Sequence, residues 1–458
     1  MDIERILSQV PDEQVFLTVD EMDAHTLALP QRYPDVCSVY KAGESQKGHP
    51  IYVLKIGQGS RNAFVLGCPH PNEPIGAMML EFLTELLCRD EALRRELDYT
   101  WYIVKTGDPD GVKLNEGWFG GPFTLYNYAR HFYRPASNQQ VEWTFPLDYK
   151  TLHFHTPLPE TAAVMRVLED IKPSFLYSLH NSAFGGAYWY ISDRDETLVA
   201  ELPLAAQHQD IPLSLGEPEM PCCKVYSNAV FEFPGTPLIY DYFEQMTGQD
   251  PAPMLNSGAS SLDFASRQGP CFGLVCEMPY FLNPNAMNTG ASDIIRRDAV
   301  LRSCEIIEEL YRQMKPLVDV LCPLLPASDP YRLALEERMS AYVPNLLAQK
   351  NFALQSPEFE QPATHAQVFD NLYAMPFYHL LGVGMIASGA ELAMTAHPER
   401  KAELTQVLEA AERMLREGCE RLENSTEFEA VAIRRLVSVQ LESGLRAALR
   451  IRQRLDEA

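Results

Sequence analysis

The chain has 458 residues, 46% hydrophobic and 22% charged, which is enough to bury a sizeable core and excludes a disordered polypeptide. Its formal charge of −24 excludes a broad basic face of the kind that holds nucleic acid or an anionic membrane surface. The opening "MDIERILSQVPDEQ" has early acids and no apolar core behind a basic start, no segment approaches about 20 consecutive apolar residues, and the ten cysteines form no CxxC pair, so the expectation is a reduced cytoplasmic protein without membrane attachment.

In chain order, "IYVLKIG" (51–57) and "AFVLG" (63–67) read as short buried strands separated by the turn-rich "QGSRN". "GCPHPNEPIGAMML" (67–80) then places His70 and Glu73 three residues apart between prolines. Residues 75–88 carry apolar positions at helical spacing, and "RDEALRRE" reads as the solvated end of that helix. "YTWYIVKT" predicts a strand and "GDPDG" a turn. Strand, helix, strand is the pattern of an α/β sheet.

Residues 113–157 are rich in aromatic, Gly and Pro residues without clear periodicity, and such stretches inside a domain are often functional. "LPETAAVMRVLEDIKP" predicts a helix opened by proline, and "SFLYSLH" a strand ending in His180. "GAYWYIS" and "FGLVCEMPYF" predict later strands, the second ending near Glu277. From about residue 294 the texture changes to amphipathic helices dense in Ala, Leu, Glu and Arg, interrupted by "QKNFALQSPEFEQPATH", which reads as a linker. The expected fold is α/β: a mixed, mostly parallel central sheet flanked by helices over residues 1–325, with 1–30 as a lead-in. A C-terminal α-helical extension over 326–458 would pack on that part or form a homodimer contact.

A catalytic zinc takes three protein ligands, drawn from His nitrogen and carboxylate oxygen, and keeps a fourth position for water. His70 and Glu73 sit where a strand gives way to a turn, and a third ligand must come from elsewhere. His180, at a strand end, is compatible with the gathering of ligands at the carboxyl ends of strands in open α/β sheets. Taken singly, a His-x-x-Glu pair on a surface turn and a satisfied core histidine explain the same residues.

Ordered context favours ligation, because several segments resemble zinc metallocarboxypeptidases of the M14 (carboxypeptidase A-like) group. "YPDVCSVYKAGESQKGHPIYVLKIG" resembles the family's opening, and "HPNEPIG" its first two zinc ligands, His70 and Glu73. "GDPDG" is similar to its Asn-Pro-Asp-Gly turn, with Asp108 in place of the asparagine. "FLYSLHNS" resembles the strand that delivers the third ligand, His180, and "SGASSLDFA" the segment that forms the side-chain pocket.

The resemblance covers about residues 30 to 300. It implies one Zn2+ per chain on His70, Glu73 and His180, with Glu277 passing a proton from the attacking water to the leaving amine. It implies Arg134 as the oxyanion arginine, with Arg130 as the alternative, and a substrate pocket at Leu262 and Asp263. Each arginine reads equally as a surface residue, and Asp263 equally as a helix-start acid. Glu277 follows the apolar "CFGLVC", which suits a buried strand facing a cleft.

Two departures bear on the substrate. The family carries an Asn-Arg pair that grips a terminal carboxylate, and the matching region here is "VEWTFPLDYK"; Leu255 stands where the spacing puts the pocket tyrosine. The expected function is zinc-dependent hydrolysis of a peptide or amide bond. Its rival is an amidohydrolase like aspartoacylase or succinylglutamate desuccinylase, acting on an N-acyl amino acid, and a non-catalytic scaffold is the third reading. His153 and His155 in "TLHFHT" could approach a metal or be structural. Tyr188, Trp189 and Tyr190 could line a cleft or fill the core.

Overall fold

A computed structural model describes residues 1–457. Strands β1 (Cys37–Glu44), β2 (Pro50–Ile56), β3 (Arg61–Leu66) and β4 (Tyr99–Val104) precede a separate hairpin of β5 (Leu147–Tyr149) and β6 (Leu152–Phe154). β7 (Phe175–Gly185), β8 (Tyr188–Ile191), β9 (Val225–Ser227), β10 (Val230–Glu232) and β11 (Phe272–Leu282) follow. The main sheet has the order β1-β2-β4-β3-β7-β11-β8-β10-β9. Its central strands β4, β3, β7 and β11 run parallel, and antiparallel pairs lie towards both edges.

Alternation along β3 shows why these apolar runs become central strands. Ala63 and Val65 enter one core, while Phe64 and Leu66 enter the other. Successive side chains point to opposite faces, so a sheet covered on both sides demands a continuous apolar run. The helices Ile75–Arg89, Glu196–Gln207 and Ile433–Glu457 feed the first core; Pro159–Ile171 and Ser261–Gln268 feed the second.

Several boundaries differ from the sequence expectation. "GDPDG" opens a helix, Pro109–Asn115, whose cap Asp108 accepts a hydrogen bond from the Gly111 amide at 2.8 Å. "RDEALRRE" closes one helix at Arg89 and starts another, Glu91–Leu97, capped by Asp90. β7 and β11 run five residues past His180 and Glu277, to Gly185 and Leu282, because their distal halves pair with each other. The aperiodic stretch contains the short helix Leu125–Arg130 and the β5–β6 hairpin. The expected linker is built of short elements: the helix Pro330–Gln355 enters it, Pro357–Glu360 forms a 3-10 turn, and Pro362–Thr364 pairs with Ala291–Ile295.

One further correction concerns apolar length. The helical run His365–Ala396 is long and apolar enough to cross a membrane, and 67% of its most apolar window is buried inside the fold. Single polar residues such as His379, Ser388 and Glu391 break its composition, so it does not read as one apolar segment. The final helix, Ile433–Glu457, lies against the sheet rather than beyond it: its buried residues share a continuous core with Ile3 and Ile6 at the other end of the chain.

Candidate metal centre

The turn after β3 is held in shape from three sides. Cys68 adopts a left-handed conformation with φ of 45°, and the chain then reverses through His70 to Glu73, whose amide donates to the His70 carbonyl at 3.1 Å. The Tyr280 hydroxyl, from β11, donates to the Asn72 carbonyl at 2.9 Å. Gly111 lies so close that a Cβ there would stand 2.7 Å from Pro71. The helix Ile75–Arg89 begins directly after Pro74, and a Cβ on Gly76 would stand 2.5 Å from the Leu179 Cβ. That close approach presses the turn against β7.

β7 and β11 deliver the other two groups. His180 and Glu277 are register partners on these adjacent parallel strands, so both side chains project from the same face. His70, Glu73 and His180 are all buried and bring one ligand atom each to within 4.8 Å of one another. His180 Nδ1 stands 3.0 Å from Glu73 Oε2 and 3.9 Å from Glu277 Oε1.

These residues fit a bound cation. His70 Nδ1 and Glu73 Oε2 are buried without a hydrogen-bond partner, and the 3.0 Å approach of His180 to Glu73 is a separation without hydrogen-bond alignment. Leaving a buried donor or acceptor unsatisfied costs about 1–3 kcal/mol. A cation shared by two imidazoles and a carboxylate removes that penalty, and this donor set is a zinc set.

The local electrostatics are divided. Burial, with Arg134 and His180 nearby, holds His70 well below the usual imidazole range. Burial also pushes His180 down, but Glu73, Glu277 and Glu142 outweigh it and lift the ring to about 9. Burial drives Glu277 well above the carboxylate range despite the attraction of His180.

Arg134 belongs to the cluster: its Nη1 donates to Glu73 Oε1 at 2.6 Å and to Asn72 Oδ1 at 3.3 Å, and its Nε is buried without a partner. Arg130 is directed elsewhere. Its guanidinium donates to Glu412 and Glu391, each at 2.6 Å, and to the Ser388 hydroxyl at 3.2 Å, which ties the helix Leu125–Arg130 to the C-terminal helices. The alternative oxyanion arginine is therefore a structural brace.

The expected pocket residues are also placed. Asp263 caps the helix Ser261–Gln268, with the Ser260 and Thr236 amides donating to its Oδ2. Leu262 is buried in the second core against Gly273, and Leu255 packs at the edge of that core. Tyr188 is the register partner of Glu277 on β8; Tyr188 and Tyr190 both donate to Glu219, at 2.9 and 3.2 Å. Trp189 projects into the first core, where its indole donates to Ser443 at 3.0 Å.

Two supporting residues escaped the sequence reading. Glu142 is buried, accepts from the Ser261 hydroxyl at 2.8 Å, and lies 3.5 Å from the Ser178 hydroxyl, which is itself 2.9 Å from His180 Nε2. Gln440, on the final helix, donates to the His180 carbonyl at 2.9 Å. The available signal was a polar residue within an apolar run: "VEW" for Glu142 and "VSVQL" for Gln440.

Residues 22–210 match the family model for zinc carboxypeptidase. The chain is similar to zinc carboxypeptidases over that segment. It is 25% identical over 180 residues to carboxypeptidase M of Mus musculus, an alignment covering 36% of this chain and 39% of that protein, so the chain spans well under half of that relative's length. Among solved structures, carboxypeptidase A from Helicoverpa armigera is 14% identical, with 61% of this chain and 70% of that chain covered at a TM-score of 0.36. A metallo-carboxypeptidase from Burkholderia cenocepacia is 16% identical, with 74% and 69% covered at a TM-score of 0.33.

Proposed function

We propose that this protein hydrolyses a peptide or other amide bond at a zinc centre held by His70, Glu73 and His180. The observation that carries the reading is Glu277: a buried carboxylate in strand register with His180, 3.9 Å from the imidazole nitrogen that faces Glu73. Zinc bound there would acidify a coordinated water and polarise the scissile carbonyl. Glu277 would accept the water's proton and return it to the leaving amine, and its raised proton affinity suits a group that must hold a proton between those steps.

Arg134 orients Glu73 and keeps an unpartnered Nε for the negative charge that develops on the carbonyl oxygen. Ser178 fixes the His180 ring through Nε2, with Glu142 behind it. The absence of an Asn-Arg pair from "VEWTFPLDYK" supports an amide hydrolase whose substrate needs no such grip on a terminal carboxylate. An N-acyl amino acid or a peptide-like metabolite fits that second reading.

Metal analysis and amide hydrolysis test the chemistry together. Wild type should carry one equivalent of zinc that His70→Ala loses, and Glu277→Gln should keep that equivalent while kcat drops about 10²- to 10⁴-fold. Full activity in Glu277→Gln would sink the assignment. Equal cleavage of free-acid and C-terminally amidated peptides would favour the amide hydrolase over a strict carboxypeptidase.

A further inference from the structure

A second group of metal-type donors lies on the β5–β6 hairpin, outside the centre described above. Asp148 on β5 is the cross-strand partner of His153 on β6, and His155 follows two residues later on the same face. All three side chains are more than half exposed. Their ligand atoms lie within 4.8 Å of one another. His153 Nδ1 stands 2.7 Å, and His155 Nε2 3.0 Å, from the same oxygen, Asp148 Oδ1.

We propose that Asp148, His153 and His155 form a surface site for a late first-row divalent cation, of which Zn2+ is the chemically simplest occupant. Two imidazoles and a carboxylate are the donor set that zinc, nickel and copper ions prefer over calcium or magnesium. Zinc ligands at about 2.0–2.1 Å in a tetrahedron stand roughly 3.3 Å apart. The two nitrogens therefore need only draw back a few tenths of an ångström from Asp148 to admit the ion, which would keep solvent at its remaining position.

The hairpin is built to hold these donors in place. Leu147, Leu152 and Phe154 on its inner face are buried, which fixes the outward direction of Asp148, His153 and His155. The turn is tied down as well: Thr151 lies 2.7 Å from the Tyr240 hydroxyl, and the Tyr149 hydroxyl donates to Asp241 at 2.9 Å. Lys150, the basic residue of the turn, pairs with Asp241 and Glu244 rather than with Asp148. Asp148 is therefore left to the two histidines. A preorganised donor set loses little freedom on binding an ion.

This inference is independent of the catalytic reading, and zinc titration separates the two. Chelator-stripped wild type, the double variant His153→Ala/His155→Ala, and His70→Ala would each be titrated with ZnCl2 by calorimetry, with metal content measured after gel filtration. Wild type should take two equivalents and the double variant one, and His70→Ala should keep the hairpin's equivalent. Asp148→Asn should weaken that equivalent by roughly tenfold or more. A wild type that binds one equivalent, lost only in the double variant, supports the hairpin site and counts against the internal centre. A double variant that matches wild type in stoichiometry and affinity overturns the proposal, as does a wild type whose zinc is lost entirely in His70→Ala.

Discussion

Asp108 shows how one atom's identity sets a pH response. Its carboxyl caps a helix while buried. Burial, with Glu160 and Asp110 adding to it, pushes this carboxyl up to about 7. The unfolded chain releases that proton near pH 4. Between those values the folded state holds the extra proton, so stability falls as pH rises from about 4 to 7 and then levels off. An asparagine keeps the capping oxygen and has no proton to lose. Asp108→Asn should therefore melt with a flatter pH dependence and, above pH 7, be about 1–3 kcal/mol more stable than wild type. Thermal melts at pH 5 and pH 8 decide it: equal slopes for the two proteins would refute the assignment.

The arginines divide at the same scale. Arg134→Ala removes the partner of Glu73 Oε1 and should depress hydrolysis in a protein that still folds. Arg130→Ala leaves Glu391 without its cation and Glu412 with only Arg416 at 3.5 Å, and should cost about 1–3 kcal/mol of stability, while the folded fraction keeps its turnover. Comparing urea midpoints with active-site-normalised kcat tells them apart. The sequence showed both arginines within five residues, and only their partners, more than 250 residues away for Arg130, separate a brace from a site residue.

Among the elements, close packing between the helix Ile75–Arg89 and β7 is what joins the two halves of the candidate metal centre. Gly76 is small because Leu179 lies directly opposite, one residue before His180. Gly76→Ala would gain about 1 kcal/mol of helix propensity but force a 2.5 Å contact, and overpacking typically costs about 1–3 kcal/mol. The net expectation is a small loss of stability with a weaker grip on zinc, measured by competition with a chelator; unchanged zinc affinity would mean that the turn's position does not depend on this contact. The clustering of His70 and Glu73 in "HPNEPIG" was legible because strand, turn and both side chains are contiguous. The overrun of β7 and β11 was not, because strand length is set by pairing between segments nearly one hundred residues apart.

At the scale of the whole molecule, the C-terminal helices are bound into the architecture that presents the site. Amphipathic periodicity revealed the final helix but not its partner, since an apolar stripe is the same whether it faces a second copy, another helix or a sheet. Its polar buried residues carry the missing information: Gln440 holds the His180 carbonyl, and Ser443 accepts from Trp189. Seven large aliphatic side chains on that helix, Ile433, Leu436, Val437, Val439, Leu441, Leu445 and Ile451, are buried. Each contributes about 1.5–3 kcal/mol, and together they exceed about 10 kcal/mol, comparable with the whole net stability of a typical domain. Removing residues 433–458 should therefore leave a chain without a cooperative thermal transition and without zinc, whereas Gln440→Leu, which keeps the apolar packing, should fold with a lowered melting temperature. Circular dichroism melts with parallel metal analysis read both outcomes. A truncated chain that melted cooperatively with zinc bound would show that the helix is an appendage and that the sheet alone positions His180.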